Sequence, residues 1–427
     1  MGSNFFSTTI GEQITLQRGF DITKKEQQEG NVPVVSSGGI SSYHNVSKVE
    51  APGVVLGRKG TLGTVFFVEK DFWPHDTSLW VKDFKGNNPQ FVYYFFKGMS
   101  AELKKMDVGA ANPALNRNHV HPLQVEWPRR EVQDQIVSVG AALDQKITLN
   151  NQINQTLEQM AQTLFKSWFV DFDPVKAKMN GEQPKGMDAP FLSKEVASLF
   201  PEKLVESELG LIPEGWEVGT LDSHTSMIID HRGKTPKKLG SDWVEEGYPA
   251  ISAKNIKSKK IVRPDTIRFI DEATYKKWMK EPLIKGDIIM TSEAPMGELY
   301  FFDGSEDFCL SQRLYGLRAN SDVCSPEFLF NWLQTTKAKA DMEGRASGTT
   351  ALGIKQAELR KVKILTPPRE LLEKYSAVAS NLVGMAAKNN AQNTVLEDLR
   401  DTLLPKLLSG EIDLENVQVE QAKALAE

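Results

Sequence analysis

The stretch TLEQMAQTLF at residues 156–165 recurs as VLEDLRDTLL at residues 395–404. Matching positions lie 239 residues apart (396 minus 157), and this separation holds backward without a gap to Pro128 and Pro367. A constant offset over such a length predicts two copies of one structural unit, each of which ends in a long helix. A duplicated chain of this kind is suited to a partner that itself has two halves.

Two rows of side chains recur every seven residues in the first copy. The rows are Leu143, Asn150, Leu157 and Leu164, and, four residues further on, Ile147, Asn154, Ala161 and Trp168. This spacing predicts one helix over residues 131–169, about 58 Å long at 1.5 Å per residue, with a coiled-coil seam. The second copy predicts a helix over 370–408, with Pro405 limiting its last turn. The alternative is a long helix that lies on a globular core.

The seam contains polar positions that match between the copies, Asn150 with Asn389 and Asn154 with Asn393. Two equal units related by a pseudo-two-fold axis have antiparallel helices, and a polar seam residue can fix helix register at some cost in stability. We expect these four asparagines to set the register near the crossing point of the helices. The alternative is that they are simply hydrated.

The segment before each long helix predicts a globular domain of mixed strands and helices. Strands are expected at 54–56, 64–68, 78–81, 288–290 and 299–302, and helices at 91–106, 194–200 and 326–338. The predicted fold class is α+β, with two mixed α/β domains separated by two long antiparallel helices. The predicted order is a first domain at 1–127, a long helix at 128–170, a connector at 171–214, a second domain at 215–366, a long helix at 367–410 and a tail at 411–427.

The composition, 40% hydrophobic and 25% charged over 427 residues, is typical of a soluble chain with two or more domains. No run of about 18 apolar residues is present and the start lacks a basic and an apolar segment, so we expect neither a membrane span nor a secretory signal. Only Cys309 and Cys324 occur, which favours a reducing cytoplasm. The net charge of −5 arises in the helical segments, so both globular domains can carry basic faces.

Motifs of catalysis are weak in this sequence. It contains no Walker A motif, and the basic turn at 57–63 matches neither the P-loop nor the dinucleotide fingerprint. His119 and His121 lack further metal ligands nearby, and His75 and Asp76 lack an adjacent activated nucleophile. We therefore expect no catalytic residues and no metal site.

Basic, glycine-punctuated loops in both copies are typical of nucleic-acid contacts. Lys and Arg neutralise phosphates, while Arg, Asn and Thr can also read base edges in the major groove. The predicted DNA-binding residues are Lys24, Arg58, Lys59, Thr61, Arg117, His119, Arg232, Lys234, Thr235, Lys237, Lys254, Asn255, Arg345, Thr349 and Thr350. The alternative for any single loop is a hydrated charged surface.

Several motifs together resemble one family, the specificity (S) subunits of type I restriction-modification enzymes. GVVLGRKGTLG at 53–63 and RGKTP at 232–236 followed by PAISAKNI at 249–256 resemble stretches of their target-recognition domains. SWFVDFDPV at 167–175 resembles the end of their central helix, ELGLIPEGW at 208–216 the entry to the second domain, and LRDTLLPKLLSG at 399–410 the distal helical region.

This resemblance implies that each globular domain is a target-recognition domain for one half of a bipartite double-stranded DNA target, with the helices setting the gap. It implies docking of two methyltransferase (M) subunits and association with restriction/translocase (R) subunits in a bacterial or archaeal cytoplasm. No cofactor is expected on this chain, since S-adenosylmethionine, Mg and ATP are expected only on partner subunits. We predict docking at the apolar helix ends, with core packing as the alternative: Leu164, Phe165, Trp168, Phe169, Leu403, Leu404, Leu407 and Leu408.

Two other functions compete with this interpretation. A duplicated DNA-binding adaptor could serve another methyltransferase or defence system, and would associate with a different partner. An enzyme with an unrecognised site in one globular domain would show turnover without any partner.

Overall fold

The computed structural model describes residues 4–106, 114–182, 192–348 and 351–412. The chain divides into two compact units: unit 1 consists of Met1–Gln152 and Asn389–Glu427, and unit 2 of Ile153–Lys388. Each unit therefore contains one globular domain together with a part of each long helix.

Strands and short helices form the globular domain of unit 1. The strands are β1 (Phe5–Thr9), β2 (Thr15–Arg18), β3 (Val32–Ser36), β4 (Gly39–His44), β5 (Gly53–Gly57), β6 (Val65–Val68), β7 (Trp73–Pro74), β8 (Ser78–Asp83) and β9 (Gln124–Pro128). The helices are α1 (Ile10–Gln13), α2 (Pro89–Gly98), α3 (Ser100–Lys105) and α4 (Arg117–Val120). An antiparallel sheet has the order β2–β8–β5–β6, a smaller sheet the order β4–β3–β7, and β1 pairs with β9.

The core of unit 1 lies between the β2–β8–β5–β6 sheet and α2. Every residue of β5 is buried, as expected for a central strand that is covered on both faces. The side chain of Asn88 caps α2 by accepting hydrogen bonds from the backbone of Gln90 and Phe91, and Pro89 occupies the first turn. The helix places Phe91 and Phe96 in the core, where both are fully buried.

Unit 2 contains a globular domain with additional short elements. Its helices are α6 (Asp173–Met179), α7 (Lys194–Ser198), α8 (Leu221–His224), α9 (Glu272–Trp278), α10 (Pro326–Leu333), α11 (Thr336–Arg345) and α12 (Gln356–Leu359). Its strands are β10 (Leu204–Ser207), β11 (Gly210–Pro213), β12 (Glu217–Thr220), β13 (Thr225–Asp230), β14 (Tyr248–Ile251), β15 (Ile256–Lys257), β16 (Lys260–Ile261), β17 (Arg268–Ile270), β18 (Ile288–Thr291), β19 (Leu299–Phe301), β20 (Cys309–Leu310), β21 (Leu314–Ala319) and β22 (Lys363–Thr366).

The two units repeat one topology. The sheet β13–β21–β18–β19 of unit 2 corresponds to β2–β8–β5–β6 of unit 1, and β17–β14–β20 corresponds to β4–β3–β7. In both smaller sheets one pair of strands is antiparallel and the other is parallel. The pair β12–β22 repeats β1–β9, and the four-residue helices α1 and α8 both start with a threonine capping box. The predicted internal repeat and the α+β fold class are confirmed.

The long helices are α5 (Arg130–Phe169) and α13 (Arg369–Leu408). Both begin within one residue of the predicted start and within two residues of a proline, Pro128 or Pro368, and both end at the predicted residue. Pro405 lies inside α13, near its last turn. None of the helices in the described ranges is long and apolar enough to cross a membrane.

Within unit 1 the long helices run antiparallel. Leu143 and Ile147 of α5 share a hydrophobic cluster with Leu396 of α13. The guanidinium of Arg400 donates to Asp144 at 2.8 Å, and the amide of Asn150 donates to Asn393 at 2.9 Å, so contacts move back along α13 as they move forward along α5. A regular coiled-coil seam over the whole helices stays a prediction.

Three of the shorter helices differ from their predicted extents; of these, the helix expected over 194–200 ends at Ser198. The helix expected over 91–106 is divided into α2 and α3 around Met99, and the helix expected over 326–338 ends at Leu333. In the last case Thr335 starts the new helix α11, because its hydroxyl accepts a hydrogen bond from the backbone of Ala338.

Candidate nucleic-acid interface

Charged residues from three strands meet at one end of the main sheet of unit 1. Arg18 is the last residue of β2, Arg58 and Lys59 follow β5, and Asp76 comes just before β8. The guanidinium of Arg18 donates to the carboxylate of Asp76 at 2.7 Å, and that of Arg58 to the backbone oxygen of Asp76 at 3.3 Å. We call these four residues the loop end of unit 1.

A later segment of the chain is held against this loop end. The backbone of Leu115 donates to the carbonyl of Arg58 at 2.9 Å, and Ala114 forms a β-bridge with Lys59. The next residues form α4, on which Arg117 and His119 are exposed. Basic residues that are far apart in the sequence thus come together at one end of the sheet.

The carboxylate of Asp76 organises the charges of the loop end. Partial burial on its own would raise the pKa of Asp76. The hydrogen bond from Arg18 and the charges of His75 and Lys59 outweigh this effect and lower that pKa. Burial and the neighbouring charge of Arg18 lower the pKa of Arg58. The carboxylates of Asp76 and of neighbouring Asp21 balance only part of the charge of the three basic side chains, so the loop end has a positive excess suited to phosphate groups.

In the described part of the chain, one group of side chains has the spacing of metal ligands. Atoms of Asp21, His75 and Asp76 lie within 4.8 Å of one another. Arg18 already pairs with one oxygen of Asp76, and the imidazole of His75 lies 3.1 Å from the other. These contacts occupy the carboxylate, so we assign this group to the organisation of the loop end.

The same end of the sheet in unit 2 carries a different arrangement. Asp230 ends β13 and binds the guanidinium of Arg232 through two hydrogen bonds of 2.8 Å. The guanidinium lies 4.3 Å from the ring centre of Tyr315, so one arginine is held from two sides. Glu293 follows β18, and its carboxylate lies 3.0 Å from Nε of Arg313, which precedes β21. We call Asp230, Arg232, Glu293 and Arg313 the loop end of unit 2.

Hydrogen bonds of the backbone show which positions correspond. In unit 1 the backbone N–H of Arg58 donates to the carbonyl of Thr77 at 3.0 Å, and the backbone N–H of Leu115 donates to the carbonyl of Arg58. In unit 2 the backbone N–H of Ser292 donates to the carbonyl of Arg313 at 2.8 Å, and the backbone N–H of Ile354 donates to the carbonyl of Ser292 at 3.0 Å.

The β-bridge between Lys59 and Ala114 also has its counterpart, between Glu293 and Gly353. Arg58 therefore corresponds to Ser292, Lys59 to Glu293 and Thr77 to Arg313. The backbone frame is the same in both units, whereas the charged side chains on it differ.

The structure contradicts the prediction for Asn255, which is fully buried. Its side-chain oxygen accepts from the backbone and hydroxyl of Ser252, and its amide donates to Thr266 at 3.0 Å and toward the carbonyls of Val262 and Arg263. All of its hydrogen-bonding capacity is used inside the domain, so Asn255 fixes a loop and does not reach a base edge.

The other predicted DNA-binding residues of unit 2 differ in how free their side chains are. Lys237 and Lys254 are exposed, and Thr235 is partly exposed. The ammonium of Lys234 donates to the carbonyl of Trp278 at 2.9 Å, and Arg345 donates to Asp341 at 2.7 Å. Thr349 and Thr350 lie outside the described residues.

In unit 1 Lys24 is exposed, and the hydroxyl of Thr61 donates to the carbonyl of Ser37 at 2.5 Å.

Sequence reasoning did not predict Arg18, Asp76, Glu293 and Arg313 as interface residues, and it considered Asp76 only beside His75 as part of a catalytic pair. The other three are single charges in stretches without a motif, and 58 residues separate Arg18 from Asp76. A comparison of the two copies strand by strand is the signal that finds them, because the positions become equivalent only once the strands are aligned.

Residues 5–159 and 213–378 match the family described as type I restriction modification DNA specificity domain. The chain belongs to this family. It is 30% identical to the type I restriction enzyme HindI specificity subunit of Haemophilus influenzae over 335 residues. The matched region covers 70% of this chain and 71% of that protein. It is 26% identical over 341 residues to the MjaIX specificity subunit of Methanocaldococcus jannaschii, covering 77% of this chain and 70% of that protein.

A solved structure of a type I S subunit from M. genitalium has the same fold, with a TM-score of 0.55 at 15% identity over 95% of this chain and 96% of that one. The two matches to the specificity family fall on the two globular domains and continue into the long helix that follows each. The chain is thus a type I specificity subunit with two recognition domains, and each loop end lies on one of them.

The side chains that were predicted to dock partners of this specificity subunit lie in the hydrophobic cores. Leu164, Phe165, Trp168 and Phe169 are buried in the core of unit 2, and Leu404 and Leu407 in that of unit 1. Leu403 and Leu408 are partly buried against the same core of unit 1. Burial leaves the first six side chains little surface for a partner, so the structure favours the alternative of core packing for them. Docking at Leu403 and Leu408 stays a prediction.

Proposed function

We propose that the chain recognises double-stranded DNA for a type I restriction-modification complex, with the loop end of each unit reading one half of a bipartite target. The observation that supports this most directly is the shared backbone frame with different charged side chains, Arg58 and Lys59 in one unit and Ser292 and Glu293 in the other. A backbone frame shared by both units, with exchanged side chains, is suited to reading two different sequences with one fold.

Partners supply the chemistry in this proposal. Two methyltransferase (M) subunits, which bind S-adenosylmethionine, and restriction/translocase (R) subunits, which use Mg and ATP, would assemble with this chain. The chain itself contributes recognition and no catalytic group. The remaining predicted contacts, led by Arg117 and Arg232, would bind phosphates or bases around the two loop ends.

The proposal is tested by mapping methylated adenines in a host that lacks adenine methylation, after coexpression of this chain with a type I methyltransferase (M) subunit from the same genome. We expect methylation at one bipartite, asymmetric target. Lys59→Ala should relax one position of one half of that target by about 5- to 150-fold, because a good base contact contributes roughly 1–3 kcal/mol of discrimination.

Lys70→Ala is the matched control, since Lys70 is an exposed lysine beyond the other end of β6 and should leave the target unchanged. The absence of any gene-dependent methylation motif would contradict the recognition function. An unchanged target with Lys59→Ala would remove Lys59 from the base-reading residues.

We also propose that α5 and α13 set the gap between the halves of the target, since both helices continue from one unit into the other. Insertion of four residues after Gln152 together with four after Lys388 lengthens both helices at the unit boundaries and leaves the contacts inside each unit intact. Each insertion adds about 6 Å, so the preferred gap should grow by about one or two base pairs in the same methylation mapping. An unchanged gap with a functional complex would show that the helices do not measure it.

A further inference from the structure

An ion pair occupies the position in unit 2 where unit 1 has a lysine. Glu293 corresponds to Lys59 and Arg313 to Thr77, because the same backbone hydrogen bonds and the same β-bridge hold both sets of residues. The side chains of Arg313 and Glu293 are 53% and 42% exposed to solvent, so both are accessible at the loop end. Unit 2 thus presents a carboxylate at a place where its sister unit presents a cation.

A carboxylate on a surface that meets DNA has few favourable partners. It is repelled by phosphates, and the groups of DNA that it can bind are the exocyclic amino groups of the bases. In the major groove these are N4 of cytosine and N6 of adenine, and Glu and Asp accept in particular from cytosine N4. An exposed carboxylate at this position therefore favours base contact over phosphate contact.

One neighbouring side chain, that of Arg313, forms an ion pair with this carboxylate. Arg313 is a non-glycine residue in the left-handed region, with φ of 64°, directly before β21. Its guanidinium binds one oxygen of Glu293, which leaves the other oxygen able to accept from a ligand. Nearby, Asp230 binds Arg232 through two hydrogen bonds and the ring of Tyr315 lies against its guanidinium. The loop end of unit 2 therefore offers both donors and acceptors and not a uniform positive charge.

We propose that Glu293 is a specificity-determining residue of unit 2 and that Arg313 positions it. Its carboxylate accepts a hydrogen bond from a base with an exocyclic amino group, cytosine in first place, in the half of the target that unit 2 reads. This inference rests on the proposed DNA recognition and adds the class of base that one position selects.

The test uses the full chain in complex with its methyltransferase partner and duplex oligonucleotides that carry each of the four base pairs at each target position. Glu293→Ala should reduce discrimination by about 5- to 150-fold at one position, whose preferred pair offers an amino group to the protein. The position should lie in the half that Lys59→Ala leaves intact. Arg313→Ala should weaken discrimination at that same position, and both variants should retain the wild-type melting temperature.

The matched control is Asp222→Ala, which breaks the half-exposed ion pair of Asp222 with Arg360 in the same unit. Asp222 lies in α8, at the other end of β13 from Asp230, roughly 20 Å away for a strand of this length. This variant should leave discrimination unchanged at every position.

The salt dependence of binding separates the proposed role from simple charge balance. If Glu293 only neutralises Arg313, Glu293→Ala should relax no position and should steepen the slope of log Kd against log salt by about one, because the freed arginine binds a phosphate. That result, or unchanged discrimination and slope, would overturn the inference while the recognition function stands. If the wild-type complex itself shows no preferred target, the proposed function fails and the inference fails with it.

Discussion

Phe169→Ala should lower the free energy of unfolding of unit 2 by about 3–5 kcal/mol. The phenyl ring is fully buried at the end of α5, and its centre lies 5.0 Å from that of Phe328, 5.1 Å from that of Tyr375 and 5.9 Å from that of Trp216. Its removal leaves a cavity that three aromatic neighbours border and that these large rings fill only in part. Urea unfolding followed by circular dichroism measures the effect.

Gln159→Ala is the control for this substitution, because Gln159 is exposed on the same helix of the same unit. It should change the free energy of unfolding by no more than about 0.5 kcal/mol. A Phe169→Ala chain with wild-type stability that fails to capture a methyltransferase subunit would contradict core packing. That result would support the docking role that the sequence also allowed.

Asn150→Leu should lower the free energy of unfolding of unit 1 by about 1–3 kcal/mol. Asn150 is 2% exposed, and its amide donates to Asn393 at 2.9 Å and to Gln392 at 2.8 Å. The substitution leaves the oxygen of the buried Asn393 without this donor, although the amide of Asn393 still donates to Asn151 at 3.0 Å. Thermal and urea unfolding of unit 1 measure the loss.

The double variant Asn150→Leu with Asn393→Leu should recover part of this stability, because two apolar side chains then face each other. We propose that the amide pair fixes the register of the antiparallel helices, together with Asn154 and Asn389, which lie elsewhere on the same helices. Gln145→Leu, an exposed amide on the same helix, is the control and should be nearly neutral. Full stability of the single Asn150→Leu variant would instead indicate hydrated asparagines without a register role.

The sequence predicted the long helices well, because a seven-residue repeat and flanking prolines determine their position locally. The basic loop at Arg58 and Lys59 is also visible locally, because glycine, arginine and lysine are adjacent in the sequence there. The prediction that Asn255 binds DNA was wrong, because a loop asparagine has the same local sequence pattern whether it faces solvent or binds the inside of a turn. Arg18 and Glu293 could not be found locally, since strand pairing alone brings each of them to its loop end.

The helix-end residues show a second limit of sequence reasoning. Apolar side chains such as Trp168 and Leu404 have the same helical spacing whether they enter a core or bind a partner. Only the packing of the rest of the unit distinguishes the two cases, and that packing involves residues more than 200 positions away, as between Trp168 and Tyr375.

The division of the chain into units also determines the order in which they can be completed during synthesis. Unit 2 is one continuous segment, whereas the core of unit 1 includes Leu404 and Leu407 from the far end of the sequence. The 236 residues of unit 2 (388 minus 152) must be made before those leucines, which takes roughly 10–50 s at 5–20 residues per second. The first recognition domain to leave the ribosome is therefore the last to be closed, and its apolar surface stays open to chaperones or to misassembly until α13 is made.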